Sequence, residues 1–189
     1  MKKVSKVLRI VLPTAGALLF GALLVFGTAA IREQVWGSLE KPVEGLPAIV
    51  SEKEMSLDGL EANAYAVTAL ARCYDKNESV VAYKVTLTAE GYNKQTPITM
   101  SVTVSADGET VRAISIIKQK ESQYYGDNIK YPDFAQRFAD RRLPVLLTGQ
   151  DGRGAHVDGV SGATVTSQAV VDAVNHAAQF VCAHFVEGE

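Results

Sequence analysis

From Ile10 to Ile31 the chain reads IVLPTAGALLFGALLVFGTAAI, 22 residues without a charge. At about 1.5 Å of rise per residue, a helix of this length spans about 33 Å, enough for the hydrocarbon core of a bilayer. The run constrains the rest of the chain, because it must either stay in a membrane or be removed. The basic tail and Thr28-Ala29-Ala30 resemble a signal peptide, but the apolar run is longer than such peptides carry, which favours a retained transmembrane helix. Pro13 lies near its start, where a missing backbone donor matters least. Lys2, Lys3, Lys6 and Arg9 precede the run and a mixed Arg32, Glu33, Glu40, Lys41 and Glu44 follow it. That asymmetry places the N-terminus in the cytoplasm and the remainder outside the cell membrane. The sequence therefore divides into a cytoplasmic tail (1–9), a transmembrane helix (10–31), a tether containing Pro42, Gly45 and Pro47 (32–50) and an extracytoplasmic domain (51–189).

The formal net charge is −2, and removing the four basic residues of the tail leaves the rest at −6. An acidic domain argues against nucleic acid as a partner. Cys73 and Cys182 are the two cysteines, too far apart for a CxxC metal or redox pair, which argues against attached haem and iron–sulfur clusters. Their plain reading is as small buried hydrophobes. His176 and His184 fall eight apart on one helical face, but two ligands without a third make a poor metal site.

Val80–Ala89 alternates as a strand, with Val81, Tyr83, Val85 and Leu87 on one side and Lys84, Thr86 and Thr88 on the other. A turn at Glu90-Gly91-Tyr92 follows. Ile98–Ser105 alternates again, Asp107-Gly108 is a hairpin signal, and Val111–Ile117 resumes with β-branched residues. Three successive antiparallel strands are expected. Alanine-rich Leu60–Arg72 fits a helix, with Gly59 and Asn63 leaving its start open. Phe134–Arg141 reads as a short helix with Phe134 and Phe138 one turn apart, and Pro144–Thr148 as another strand. From Ser167 to Phe185 the apolar positions recur at helical spacing, so a long amphipathic helix closes the domain. The predicted fold class is α+β: a twisted antiparallel sheet with packed helices.

Immediately before that helix stands Asp158-Gly-Val-Ser161-Gly162-Ala163-Thr164-Val-Thr166-Ser167. Small residues at a helix start let an anion approach unpaired backbone N–H groups. A threonine hydroxyl there is accessible to esterification. The plain structural alternative is an N-cap at Thr166 or Ser167 preceded by a tight turn, and local physics alone favours it.

The string DGVSGAT followed by Val-Thr-Ser resembles the FMN-attachment motif of the flavoprotein subunits of Rnf and Na⁺-pumping NADH:quinone reductase complexes. It most resembles the G subunit of Rnf and, nearly as well, the C subunit of the quinone reductase. The order of membrane helix, Gly91-Tyr92 turn, hairpin around Asp107-Gly108 and C-terminal motif is similar too. The resemblance implies FMN joined by a phosphodiester to Thr164, with FAD as donor and a separate extracytoplasmic FAD:protein FMN transferase as the modifying enzyme. It assigns Ser161, Gly162 and Ala163 to a close-approach loop and Asp158 to transferase recognition or a turn, with Glu121 and Ser122 as weaker candidates for flavin contacts. Where the family commonly has Glu-Thr-Pro-Gly-Leu-Gly, this chain has Glu121-Ser-Gln-Tyr124-Tyr125-Gly126, and either tyrosine would suit stacking on a flavin or a place on the surface.

The implied function is an outward-facing electron relay in an ion-translocating ferredoxin:NAD⁺ oxidoreductase complex, beside other membrane subunits and without a substrate site of its own. Two alternatives stand beside it. One is a similar carrier in the quinone reductase or a stand-alone extracellular shuttle, and the other is a flavin-free tethered binding or assembly module.

Overall fold

A computed structural model describes residues 43–186; the expected tail and transmembrane helix lie outside them. Among the described residues no helix is long and apolar enough to cross a membrane.

Six antiparallel strands run in sequence order across one sheet: β1 (Ser51–Met55), β2 (Val67–Tyr74), β3 (Val80–Ala89), β4 (Ile98–Ser105), β5 (Thr110–Lys118) and the two-residue β6 (Arg141–Arg142). The three expected strands are β3, β4 and β5, and β3 has the predicted bounds. The β4–β5 hairpin closes through Gly108 at φ 76°, whose N–H donates to Ser105 O at 2.9 Å. Asp107 Oδ1 accepts from the Ser105 hydroxyl and from Glu109 N, which fixes the turn that the Asp-Gly pair signals.

Leu60–Arg72 does not form the expected helix. A 3₁₀ turn covers only Ala62–Tyr65, ends at Ala66 in the left-handed conformation (φ 54°), and gives way to β2. Alanine favours helix intrinsically, but β2 is flanked by β1 and β3, pairing Leu70 with both Met55 and Val85. Tertiary pairing and the burial of Val67, Leu70 and Cys73 override the local preference. β1 is an exposed edge strand reading Ser-Glu-Lys-Glu-Met, without the apolar alternation that would signal it in the sequence. Charged residues on such an edge oppose pairing with another chain.

One face of the sheet carries α2 (Thr164–Phe185), packed against β3 and β4. Val85, Leu87, Met100, Val102 and Val104 meet Val170, Val174, Ala177, Phe180 and Val181 in the central core. Helical periodicity predicted this face, but the helix begins three residues earlier than expected. Beside it, α1 (Pro132–Gln136) brings Phe134 and Phe138 edge to face at 5.4 Å. A small parallel pair, β7 (Val145–Leu147) and β8 (Ala155–Val157), then leads into the DGVSGAT loop. Asn175 of α2 holds β7 by accepting from Val145 N and donating to Val145 O, each at 2.9 Å.

Residues 43–50 are bonded to this domain. Val43 N donates to Asp140 O, Val50 N donates to Tyr74 O, and both terminal nitrogens of Arg112 donate to Pro47 O at 3.1 Å. Arg112 Nε also pairs with Asp140 Oδ1 at 3.0 Å.

Candidate functional site

The start of α2 forms one wall of a cavity of about 530 Å³, lined by Tyr92, Ser122, Tyr125, Gly162, Ala163, Thr164, Val165 and Thr166. The volume falls within the range typical of small-molecule sites. Three separate segments converge here: the β3–β4 loop, the loop after β5, and the DGVSGAT turn.

Thr164 is the first helical residue and its side chain is exposed. Thr166, two positions on, is 1% exposed, and its hydroxyl donates to Glu121 Oε2 at 2.6 Å. Two helical residues lie about 200° apart around the axis, so one threonine faces the cavity mouth while the other is pinned inside. Neither Thr166 nor Ser167 caps the helix. The capping position is Ala163, without a side-chain hydrogen bond. The Ser167 hydroxyl instead accepts from Val160 N at 2.8 Å and folds the loop back on the helix. No residue of the first turn is acidic and its unpaired N–H groups attract an anion, while the Glu121 carboxylate lies against the same turn through Thr166.

Glu121 joins the other two segments to this helix. It is 8% exposed. Besides the Thr166 hydroxyl, its carboxylate accepts from Tyr92 N at 3.1 Å and Asn93 N at 3.2 Å. Gly91 and Gly126 permit this closeness, since a Cβ at Gly91 would come within 2.3 Å of Glu121 Oε1 and one at Gly126 within 3.0 Å of Thr166 Oγ1. Glu121 thus lies behind the cavity wall and faces an adjoining trough lined also by Lys94, Lys120 and Ser122.

Of the residues singled out in the sequence, Ser122, Tyr125, Gly162, Ala163, Thr164 and Thr166 line the cavity. Ser161 and Asp158 are exposed on the loop leading to it. Asp158 is held by its backbone: Arg137 Nη1 donates to Asp158 O at 2.7 Å and Gly159 O at 3.0 Å. Tyr92, from the Gly91-Tyr92 turn, and Arg137 join the site with no sequence signal that places them there. Both act across long sequence separations that only the fold closes. The tyrosine pair splits, with Tyr125 lining the cavity and Tyr124 exposed outside it. Cys73 and Cys182 are free; Cys73 is buried as expected, whereas Cys182 is exposed. Among the described residues no group of three or more His, Cys, Asp or Glu is placed to hold a metal.

An exposed hydroxyl at a helix start, glycine-floored space and aromatic rings at the rim fit a flat ring system carried on a phosphate. Residues 91–179 match the FMN-binding domain family model, a span that contains every cavity-lining residue. Over that span the chain is similar to an FMN-binding domain. Over 109 residues it is 37% identical to the G subunit of the ion-translocating oxidoreductase complex of Methanosarcina acetivorans, covering 58% of this chain and 56% of that protein. It is 29% identical over 107 residues to the G subunit of the proton-translocating ferredoxin:NAD(+) oxidoreductase complex of Clostridium ljungdahlii, covering 56% of each. The match thus spans little more than half the length of these curated relatives. The C subunit of the Na(+)-translocating NADH-quinone reductase of Parabacteroides distasonis shares the fold, with a TM-score of 0.53 at 20% identity over 75% of this chain and 79% of that one. The resemblance to the G subunit, with the C subunit as a fold neighbour, is borne out.

Proposed function

We propose that this protein is a membrane-anchored electron carrier with FMN covalently bound at Thr164, working as the G-type member of an ion-translocating ferredoxin:NAD⁺ oxidoreductase complex. The observation that carries the attachment site is the contrast between two threonines. Thr164 offers a free, exposed hydroxyl at the cavity mouth, whereas Thr166 is buried and committed to Glu121. The relatives named as members of such complexes support the assignment to a larger redox assembly.

In the attachment, the Thr164 hydroxyl gives up its proton to the transferase and attacks the FMN-side phosphorus of FAD. The new P–O bond replaces the one to AMP, which leaves. Ser161, Gly162 and Ala163 leave room for the phosphate beside the helix start, and its charge is favoured there by the first-turn N–H groups. Bound flavin supplies the electron chemistry, while the protein contributes position and electrostatics. Glu121 holds the Tyr92 loop to the helix start and so fixes the spacing of the cavity walls. A phosphodiester also retains the cofactor on the outer face of the membrane, the side that the charge asymmetry around residues 10–31 favours for the domain.

The test is co-expression of the full chain with an FAD:protein FMN transferase, followed by flavin fluorescence on a denaturing gel. Wild type should fluoresce and Thr164→Val should not. Full fluorescence in Thr164→Val refutes the site, and its loss in Thr166→Val alone moves the attachment two residues along. A dark wild-type band favours the flavin-free binding module instead.

A further inference from the structure

We propose that Tyr125 is the ring on which the flavin stacks, and that the loop around it is built to aim that ring. The proposal rests on the flavin reading above and deepens it. Tyr125 is 57% exposed and lines the cavity with Thr164. Among the described residues it has no aromatic partner, unlike Tyr65 and Tyr83, whose rings pack on Phe180 and Phe185. One edge of the Tyr125 ring rests on the DGVSGAT turn itself. A Cβ at Gly162 would come within 2.8 Å of Tyr125 Cδ1 and 3.2 Å of Cε1, so the ring occupies the space that a side chain there would fill. Gly162 also has φ 75°, which lets the turn present its backbone to the ring.

The loop's backbone points the same way. Tyr124 adopts φ 68°, a left-handed conformation unfavourable for a bulky residue. Its own ring is 78% exposed and outside the cavity, so the strain does not serve to bury Tyr124. It serves the turn that carries the next residue inward. That turn is fixed by Tyr125 N and Asp127 N donating to Ser122 O, at 3.3 and 3.1 Å, and by Asn128 Nδ2 donating to Tyr124 O at 3.1 Å. Buried Glu121 and Gly126 anchor its ends. A locally costly backbone held by its surroundings, with a partnerless ring resting beside the attachment threonine, is the arrangement expected of a stacking platform.

A phenol stacked on an oxidised flavin quenches its emission, because an electron passes to the excited ring and returns. Phenylalanine keeps the flat surface but donates poorly. The experiment compares flavin emission of the full chain, co-expressed with the transferase, in the native state and after denaturation. Denatured emission reports loading, and the native-to-denatured ratio reports stacking. Tyr125→Phe should raise the ratio severalfold above wild type, whereas Tyr124→Phe should match wild type. An unchanged ratio in Tyr125→Phe, or a rise confined to Tyr124→Phe, overturns the proposal. If wild type carries no covalent flavin, the attachment reading fails separately, and stacking is read by titrating free FMN. Quenching by wild type that Tyr125→Phe loses then supports the platform, and equal quenching or none by both overturns it.

Discussion

Glu121→Gln is the most informative single change outside the cavity lining. The carboxylate accepts from one hydroxyl and two backbone amides while 8% exposed. Glutamine keeps the shape but supplies one acceptor oxygen, turns its other oxygen into an NH₂ donor and removes the charge. Hydrogen bonds to a charged group are worth about 1.5–3 kcal/mol against about 0.5–1.5 for neutral ones, and a donor left facing a donor costs about 1–3 kcal/mol. Water reaches the partly exposed Tyr92–Asn93 loop and offsets part of that loss, so the net destabilisation should be about 2–3 kcal/mol. In urea this corresponds to a midpoint lower by about 0.7–3 M, given slopes of about 1–3 kcal/mol per M. The assay is urea unfolding of the full chain followed by circular dichroism, in a double-mutant cycle with Thr166→Val. The cycle should return a coupling of about 1.5–3 kcal/mol, because the 2.6 Å bond between these side chains is buried and charge-assisted. Amide exchange at Tyr92 and Asn93 should quicken in Glu121→Gln, while that of Gly108, in the β4–β5 turn, stays unchanged. Two substitutions that add within about 0.5 kcal/mol would refute the clamp.

Two further outcomes follow from groups away from the site. Burial, with a smaller contribution from Glu52, pushes the Cys73 thiol from 9.0 up to about 11. The folded chain then holds a proton that the unfolded chain releases, so this stability is full below pH 9 and is lost as pH rises toward 11. Unfolding midpoints measured across that interval should fall less steeply for Cys73→Ala than for wild type, and parallel curves would disprove the linkage. Arg112→Ala removes the Asp140 pair and both bonds to Pro47 O. A glutamate-specific protease should then cut after the exposed Glu44 faster than in wild type, and equal cleavage rates would show that Arg112 does not hold residues 43–50.

The sheet's centre was legible because its physics is local. Alternation in β3, β4 and β5 and the Asp-Gly turn between the last two are properties of short windows, and they survive folding unchanged. The first two strands were not legible, for opposite reasons. β1 carries charge because it is an edge, so it lacks an apolar signature, while the alanines of β2 express a helical preference that pairing on both sides overrules. At the site, the motif itself was visible, but not which threonine is free. Once the helix is known to start at Thr164, its rotation alone separates Thr164 from Thr166; a start placed at Ser167 hides that distinction. Tyr92 and Glu121 stand 29 positions apart, and no window on the sequence reveals that one carboxylate bonds both the loop and the helix.

The sheet's connectivity sets a timetable. Each of its strands pairs with its neighbour in sequence, so the meander can assemble progressively as the chain emerges from its N-terminal end, with little loop-closure cost. The cavity cannot. Its floor and the exposed Thr164 hydroxyl belong to residues 162–166, at the head of the last of the described elements. On the proposed attachment, a transferase arriving early would meet a sheet with no acceptor. On the attachment proposed for Thr164, that hydroxyl would be presented only once α2 has docked and Thr166 has met Glu121, so the same contact that seats the helix would make the chain chargeable with its cofactor.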